Sequence, residues 1–223
     1  MSIAPRSYDS PRRRAAAEQT RRRIVDTAGR LFSENGYAAT SIRAVAAAAG
    51  TSPENIYLVF GTKAALLAAW IDVSVAGDHV PLPFVDRPEA RALADLPTFD
   101  ERLSAAMEIN RAVNDRVAAP LAVLDAAAQS DPGIAALAST IDAARHQDIA
   151  QLLGVVLGEL PARGDLDRAA VVDLVSALLS VHLYRALVLT AGWTARRYED
   201  ELASQIRQAV LRLDAPSTTP PRP

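Results

Sequence analysis

Arg43, Glu54, Asn55, Tyr57 and Lys63 lie close together in a chain of 223 residues, and their side chains suit one kind of chemistry. Arginine can grip guanine through two hydrogen bonds, asparagine suits adenine, and a carboxylate accepts from the cytosine amino group. A phenol and an ammonium are donors of the kind that hold phosphates without reading sequence. Glu54 has a plainer reading as well, because an acid in the first turn of a helix is favoured by the helix dipole.

The stretch Thr40 to Leu66 has the signals of a scaffold for these groups. Thr40-Ser41 offers a hydroxyl cap for a helix over about 41–48, with Ile42, Val45, Ala46 and Ala49 on one face. Gly50 marks a tight turn. Thr51-Ser52-Pro53 restarts the chain, with Ser52 as N-cap and Pro53 at the first helical position, where no N–H is needed. Ile56 and Phe60 face inward, leaving Glu54, Asn55, Tyr57 and Leu58 on or near the outside. Thr62 caps a further helix whose first turn holds Lys63, the sole lysine of the chain. An anion is favoured at that helix end, and a lysine beside it would help to hold one.

A supporting helix is expected over about 16–34, with Ile24, Ala28, Leu31 and Phe32 as its apolar stripe, ended by Asn35-Gly36. Residues 1–15, with Arg12-Arg13-Arg14, read as a disordered arm that either tracks phosphates or is simply solvated. Residues 1–63 hold ten Lys and Arg against five Asp and Glu, while residues 64–223 hold fourteen against twenty-one. The basic front end, not the overall net charge of −2, points to an anionic polymer.

Enzyme signatures are lacking. The chain has no cysteine, which fits a reducing cytoplasm. His79, His146 and His182 show no metal-ligand spacing, so neither a metal nor a cofactor is expected. Ser180, His182 and Asp173 do not form a triad, because Ser180 and His182 point to nearly opposite sides of one expected helix. No signal peptide is evident, and the most apolar run, Leu174 to Leu189, is interrupted by Ser176, Ser180, His182 and Arg185; no membrane partner is expected.

Ordered motifs over about residues 20–70 resemble the DNA-binding domain of the TetR family of bacterial transcriptional regulators. They are an arginine-rich first helix ending in Phe32 and Gly36-Tyr37, then Thr40-Ser41-Ile42-Arg43, Val45-Ala46, Ala49-Gly50, Ser52, Ile56-Tyr57, Phe60 and Lys63-Ala64-Ala65-Leu66. The resemblance implies that Thr40 or Ser41, Tyr57 and Lys63 contact phosphates. It implies that Arg43, Pro53, Glu54 and Asn55 touch base edges, with Thr51 and Ser52 at the start of the reading helix. It also implies a homodimer through the last two helices, about 167–213, and hence a palindromic operator.

Half the residues are hydrophobic, alanine is abundant, and no long stretch alternates with period two, so the fold is expected to be all-α. The domains read as the arm (1–15), a helix-turn-helix DNA-binding domain (16–65), a helical ligand-binding and dimerisation domain (66–214) and a disordered Pro-rich tail (215–223). In the body we expect a helix from Leu66 to Gly77-Asp78 and an irregular connection over 80–97, either holding a short helix or bordering a pocket. Helices should follow from Thr98 to about Val117, from Pro120 to Ala128, from Asp131 to Leu160, from Asp165 or Asp167 to about Ala191, and from Thr194 to Leu213. Trp70, Met107, Asn110, Asn114, His146, His182, Tyr184 and Arg185 stand within apolar helices and are candidates for a small-molecule site; the plainer reading of each is an ordinary core or interface residue. The expected function is a cytoplasmic, sequence-specific repressor, released from its operator by an unidentified small molecule. The alternative is a helical small-molecule carrier or enzyme whose basic N-terminus is incidental.

Overall fold

The computed structural model describes residues 11–80, 82–158 and 168–211. Among these every regular element is helical. The expected tail and the turn at Pro161 to Gly164 with its caps Asp165 or Asp167 lie outside them, as do residues 1–10 of the arm. Two compact units are present. The first comprises the N-terminal residues up to Ser74 together with Ala119–Leu137; the second comprises Val75–Ala118 and the residues from Ala138 onward. The cut read at residue 65 therefore falls inside a helix, and the units divide later.

In the first unit, α1 (Pro11–Ala39) starts before the expected Ala16 and takes in Arg12-Arg13-Arg14; proline is well placed to open a helix. The chain leaves helical geometry at Gly36, where φ is 77°. Ile24, Ala28 and Phe32 are fully buried as the periodicity required, and Val25 joins them. The expected caps form. Ser41 Oγ accepts from Ala44 N at 3.1 Å at the start of α2 (Ile42–Ala49), and Ser52 Oγ accepts from Asn55 N at 3.2 Å at the start of α3 (Pro53–Phe60). Between them Gly50 adopts the left-handed conformation, φ 63° and ψ 43°, and its N–H closes α2 on the Ala46 and Ala47 carbonyls. That backbone is strained for any residue with a Cβ. Thr62 caps α4 (Lys63–Ala76), its Oγ1 accepting from Ala65 N at 3.0 Å.

In the second unit, the 80–97 connection holds a 3-10 turn (Phe84–Asp86), the short helix α5 (Pro88–Ala92) and another 3-10 turn (Leu93–Asp95). Arg87, 4 % exposed, anchors it by pairing both guanidinium nitrogens with Asp78, at 2.9 and 3.1 Å. The long helix α6 (Phe99–Ala128) opens with a reciprocal capping box between Thr98 and Glu101. It continues without a break through Pro120 into the Ala119–Leu137 segment of the first unit, so the helix start expected there does not occur; proline costs that turn one hydrogen bond but does not end the helix. Asp131 caps α7 (Pro132–Leu157) as expected, accepting from Gly133 N and Ile134 N.

The single helix expected up to Ala191 is broken. α8 (Arg168–Leu178) stops, Ser180 takes an extended conformation with ψ 147°, and its Oγ caps α9 (Val181–Tyr184). A π-helical stretch, Arg185–Thr190, follows. Two of the carbonyls freed at the end of α8 are met from outside the helix. Arg145 Nη1 donates to Ser176 O at 3.1 Å and Asn114 Nδ2 to Leu179 O at 3.4 Å. Ala169–Thr190 is long and apolar enough to cross a membrane by length and composition alone. Its Val171, Val172, Val175 and Leu179 belong to the buried core that α6, α7 and α10 (Ala195–Leu211) also line. Thr194 caps α10, accepting from Arg197 N at 3.2 Å.

Candidate nucleic-acid interface

Buried Ile42, Val45, Ala46, Ala49 and Ile56 fix α2 on α3 and on α1. This packing turns the opposite sides of both short helices outward. Ser41, Arg43, Ser52, Glu54 and Tyr57 are exposed, and Thr51, Pro53 and Asn55 are half-buried. The carboxyl of Glu54 is held below the usual carboxylate range by its own backbone N–H and then by the Ser52 hydroxyl, with the charge of Arg43 acting the same way. Arg43 on α2 and Glu54 on α3 thus share one field. Asn55 is less free than its sequence position suggests, because its Nδ2 donates to Thr51 Oγ1 at 2.9 Å while its Oδ1 still offers an acceptor.

Two expected phosphate contacts are engaged elsewhere. Thr40 is 3 % exposed, and its hydroxyl lies 2.8 Å from the Gly36 carbonyl and 3.1 Å from that of Leu31. It ties off the end of α1, so of the pair Thr40 and Ser41 only Ser41 faces outward. Lys63 Nζ donates to Tyr37 O at 2.8 Å and Thr40 O at 3.1 Å, and sits 4.1 Å from the centre of the Tyr37 ring. Burial pulls its pKa down, with Asp131 opposing. Lys63 fastens the α1–α2 corner, with one of its three N–H donors to spare. Phe60 is only half-buried and lies beneath Arg21, 4.9 Å from the guanidinium carbon.

Residues 24–70 match the model for bacterial regulatory proteins of the tetR family. The chain carries a TetR-family DNA-binding domain. Solved structures extend the likeness of fold beyond that domain. A protein described as a TetR-family transcriptional regulator from Rhodococcus sp. is 17 % identical with a TM-score of 0.65, covering 86 % of this chain and 99 % of that one. A transcriptional regulator from Pseudomonas aeruginosa PAO1 is 20 % identical with a TM-score of 0.65, covering 93 % and 97 %. One from Saccharomonospora viridis, solved in complex with choline, is 21 % identical with a TM-score of 0.58, covering 85 % and 96 %. No curated protein matches the sequence. The TetR-family domain makes the chain a DNA-binding transcriptional regulator in outline.

The residues expected at a small-molecule site separate. Trp70 belongs to the TetR-family domain's own packing: its ring lies 6.2 Å from Phe32, and its indole fills the space a Cβ on Gly29 would occupy. The other seven are in the second unit. Asn110 and Asn114 both donate to Tyr198 Oη at 3.4 Å, and the Tyr198 ring meets Tyr184 edge-on at 5.3 Å. Tyr184 donates its hydroxyl to Asp115, which also pairs with Arg111, and Arg111 reaches on to Glu199. Met107 is buried in the adjoining core. Sequence reasoning missed Arg111, Asp115, Tyr198 and Glu199. Tyr198 had a signal, since it heads the apolar stripe that continues through Leu202, Ile206 and Val210 at four-residue steps.

His146 stands apart from that cluster. Its Nδ1 meets Ser176 Oγ at 3.1 Å and its Nε2 lies 3.4 Å from Asp173. Serine, histidine and aspartate therefore do line up, though not with Ser180 and His182. The serine is 5 % exposed and the acid lies on the surface, the reverse of what a nucleophile needs; the trio joins α7 to α8. His182 is exposed and Arg185 half-buried.

Proposed function

We propose that the protein is a cytoplasmic homodimeric repressor that binds a palindromic operator and leaves it when a small molecule binds the second unit. The observation that carries the reading is the outward face of α2 and α3, where Arg43, Glu54 and Tyr57 stand exposed on two capped helices. Arg43, Pro53, Glu54 and Asn55 would meet base edges, while Ser41, Thr51, Ser52, Tyr57 and the spare donor of Lys63 would meet phosphates. Pairing through residues 167–213 would set two such faces in successive major grooves, roughly 34–36 Å apart. Leu174, 49 % exposed on α8, is apolar surface that such pairing would cover.

Choline in the Saccharomonospora viridis structure supports a small-molecule effector. In this chain Met107, Asn110, Asn114 and Tyr184 form the group best suited to one, apolar on one side and hydrogen-bonding on the other. His146, His182 and Arg185 are further candidates on the same unit. The effector acts by favouring a dimer geometry that no longer fits both half-sites.

The test is binding to duplex DNA from beside the protein's own gene, against excess random DNA at moderate salt. Arg43→Ala with Tyr57→Ala should weaken specific binding at least tenfold without altering thermal stability, since both side chains are exposed. Equal binding by wild type and the double variant would refute the reading. Lys63 is unsuited to this test because its loss would disturb the domain itself.

A further inference from the structure

We propose that Leu58 determines specificity by reading the C5-methyl group of a thymine in the major groove; the inference rests on the DNA-binding reading above. Leu58 is 84 % exposed on α3, more than any other large apolar side chain among the described residues. The helix buries Ile56 at 1 % exposure, so the leucine is not a misplaced core residue. It stands four positions after Glu54 and therefore on the same face, beside Tyr57. Arg43, exposed on α2, is near enough for its charge to act on Glu54. The occupant expected there is an anionic polymer, given the excess of arginine over acid in the first 63 residues.

Chemistry then narrows what a leucine at this place can recognise. A phosphate offers it nothing, because it has no donor. Opposite guanine it would cover the O6 and N7 acceptors, opposite adenine the N6 donor, and opposite cytosine the N4 donor, each left without a partner. Thymine alone presents an apolar group to the major groove. Leu58 thus favours thymine by contact with its methyl group and disfavours the other bases by desolvation, and only an apolar side chain senses that methyl group.

The experiment uses the full chain and a random-sequence duplex pool to select a binding site. Each thymine of that site is then replaced singly by deoxyuridine, which lacks only the methyl group, and affinity is measured by fluorescence anisotropy. Wild type should lose about fourfold at one thymine per half-site, the value of one buried methyl group. Leu58→Ala should bind the thymine and deoxyuridine duplexes equally, while Leu58→Met should keep the preference. Both variants should melt with wild type. Indifference of wild type to every thymine methyl, or full methyl sensitivity retained by Leu58→Ala, would overturn the assignment while leaving DNA binding intact. Failure of wild type to enrich any sequence would overturn both.

Discussion

Gly29 shows how a single atom sets the first unit. A Cβ there would lie 2.3–2.6 Å from the Trp70 indole, well inside contact distance. In an exposed helix, glycine to alanine stabilises by roughly 1 kcal/mol. Here the sign reverses: Gly29→Ala should destabilise by about 1–3 kcal/mol, because the indole must leave its place beside Phe32. Thermal melting and tryptophan fluorescence would show it, and an unchanged melting curve would count against the packing. Lys63 gives a second case. Lys63→Met keeps the stem but abandons the Tyr37 and Thr40 carbonyls, and should cost about 1–2 kcal/mol in chemical denaturation. Any fall in DNA affinity of this variant would then come at least partly through the loosened corner between α1 and α2. Neither role was legible in the sequence. From sequence, Trp70 reads as part of a small-molecule site and Lys63 as a phosphate contact; Gly29 and the two carbonyls that define their packing are separated from them by tens of residues, beyond any local pattern.

Helix starts could be read locally because their chemistry is local. Ser41, Ser52, Thr62, Asp131 and Thr194 each cap the helix expected of them, a hydroxyl or carboxylate meeting an N–H two or three residues on. Interruptions could not be read this way. The break at Ser180 relies on Asn114 and Arg145 from other helices, and the continuity of α6 through Pro120 runs against the local signal. Ser180→Ala should therefore cost about 1 kcal/mol, the usual value of a lost cap, although sequence placed the residue mid-helix. The joint between α6 and α9 should also respond to pH. Burial, with Asp115 close by, raises the Tyr184 pKa to about 12 from an ordinary 10.0. The folded chain keeps that proton longer than the unfolded one, so the stability it contributes is full below pH 10 and is lost as pH climbs through about 12. Tyr184→Phe should flatten this alkaline limb of a denaturation-versus-pH profile. An unchanged limb would place its cause elsewhere, for example at Tyr198, whose pKa burial also raises.

For the whole molecule, the all-α class followed from alanine content and the absence of alternating patterns, and the DNA-binding domain from its ordered motifs. The second unit was less legible because its polar cluster draws Asn110, Asn114, Tyr184 and Tyr198 from three helices far apart in sequence. A homodimer should sediment as such at micromolar concentration, and its operator affinity should fall steeply with salt as phosphate counterions are released. A monomer throughout that range would remove the basis for a palindromic site.

The first unit is not one continuous stretch of chain. Leu124 and Ile134, at 2 % and 1 % exposure, belong to its returning segment Ala119–Leu137, and Asp131 there acts on both Tyr37 and Lys63. A chimaera that transplants only the N-terminal residues of this protein onto another regulator would leave that hairpin behind. The graft would lack part of its own foundation, and the donor's α6–α7 corner would have to travel with it. Exchange of the N-terminal domain between such proteins is therefore constrained by a segment that begins more than fifty residues after the end of α3.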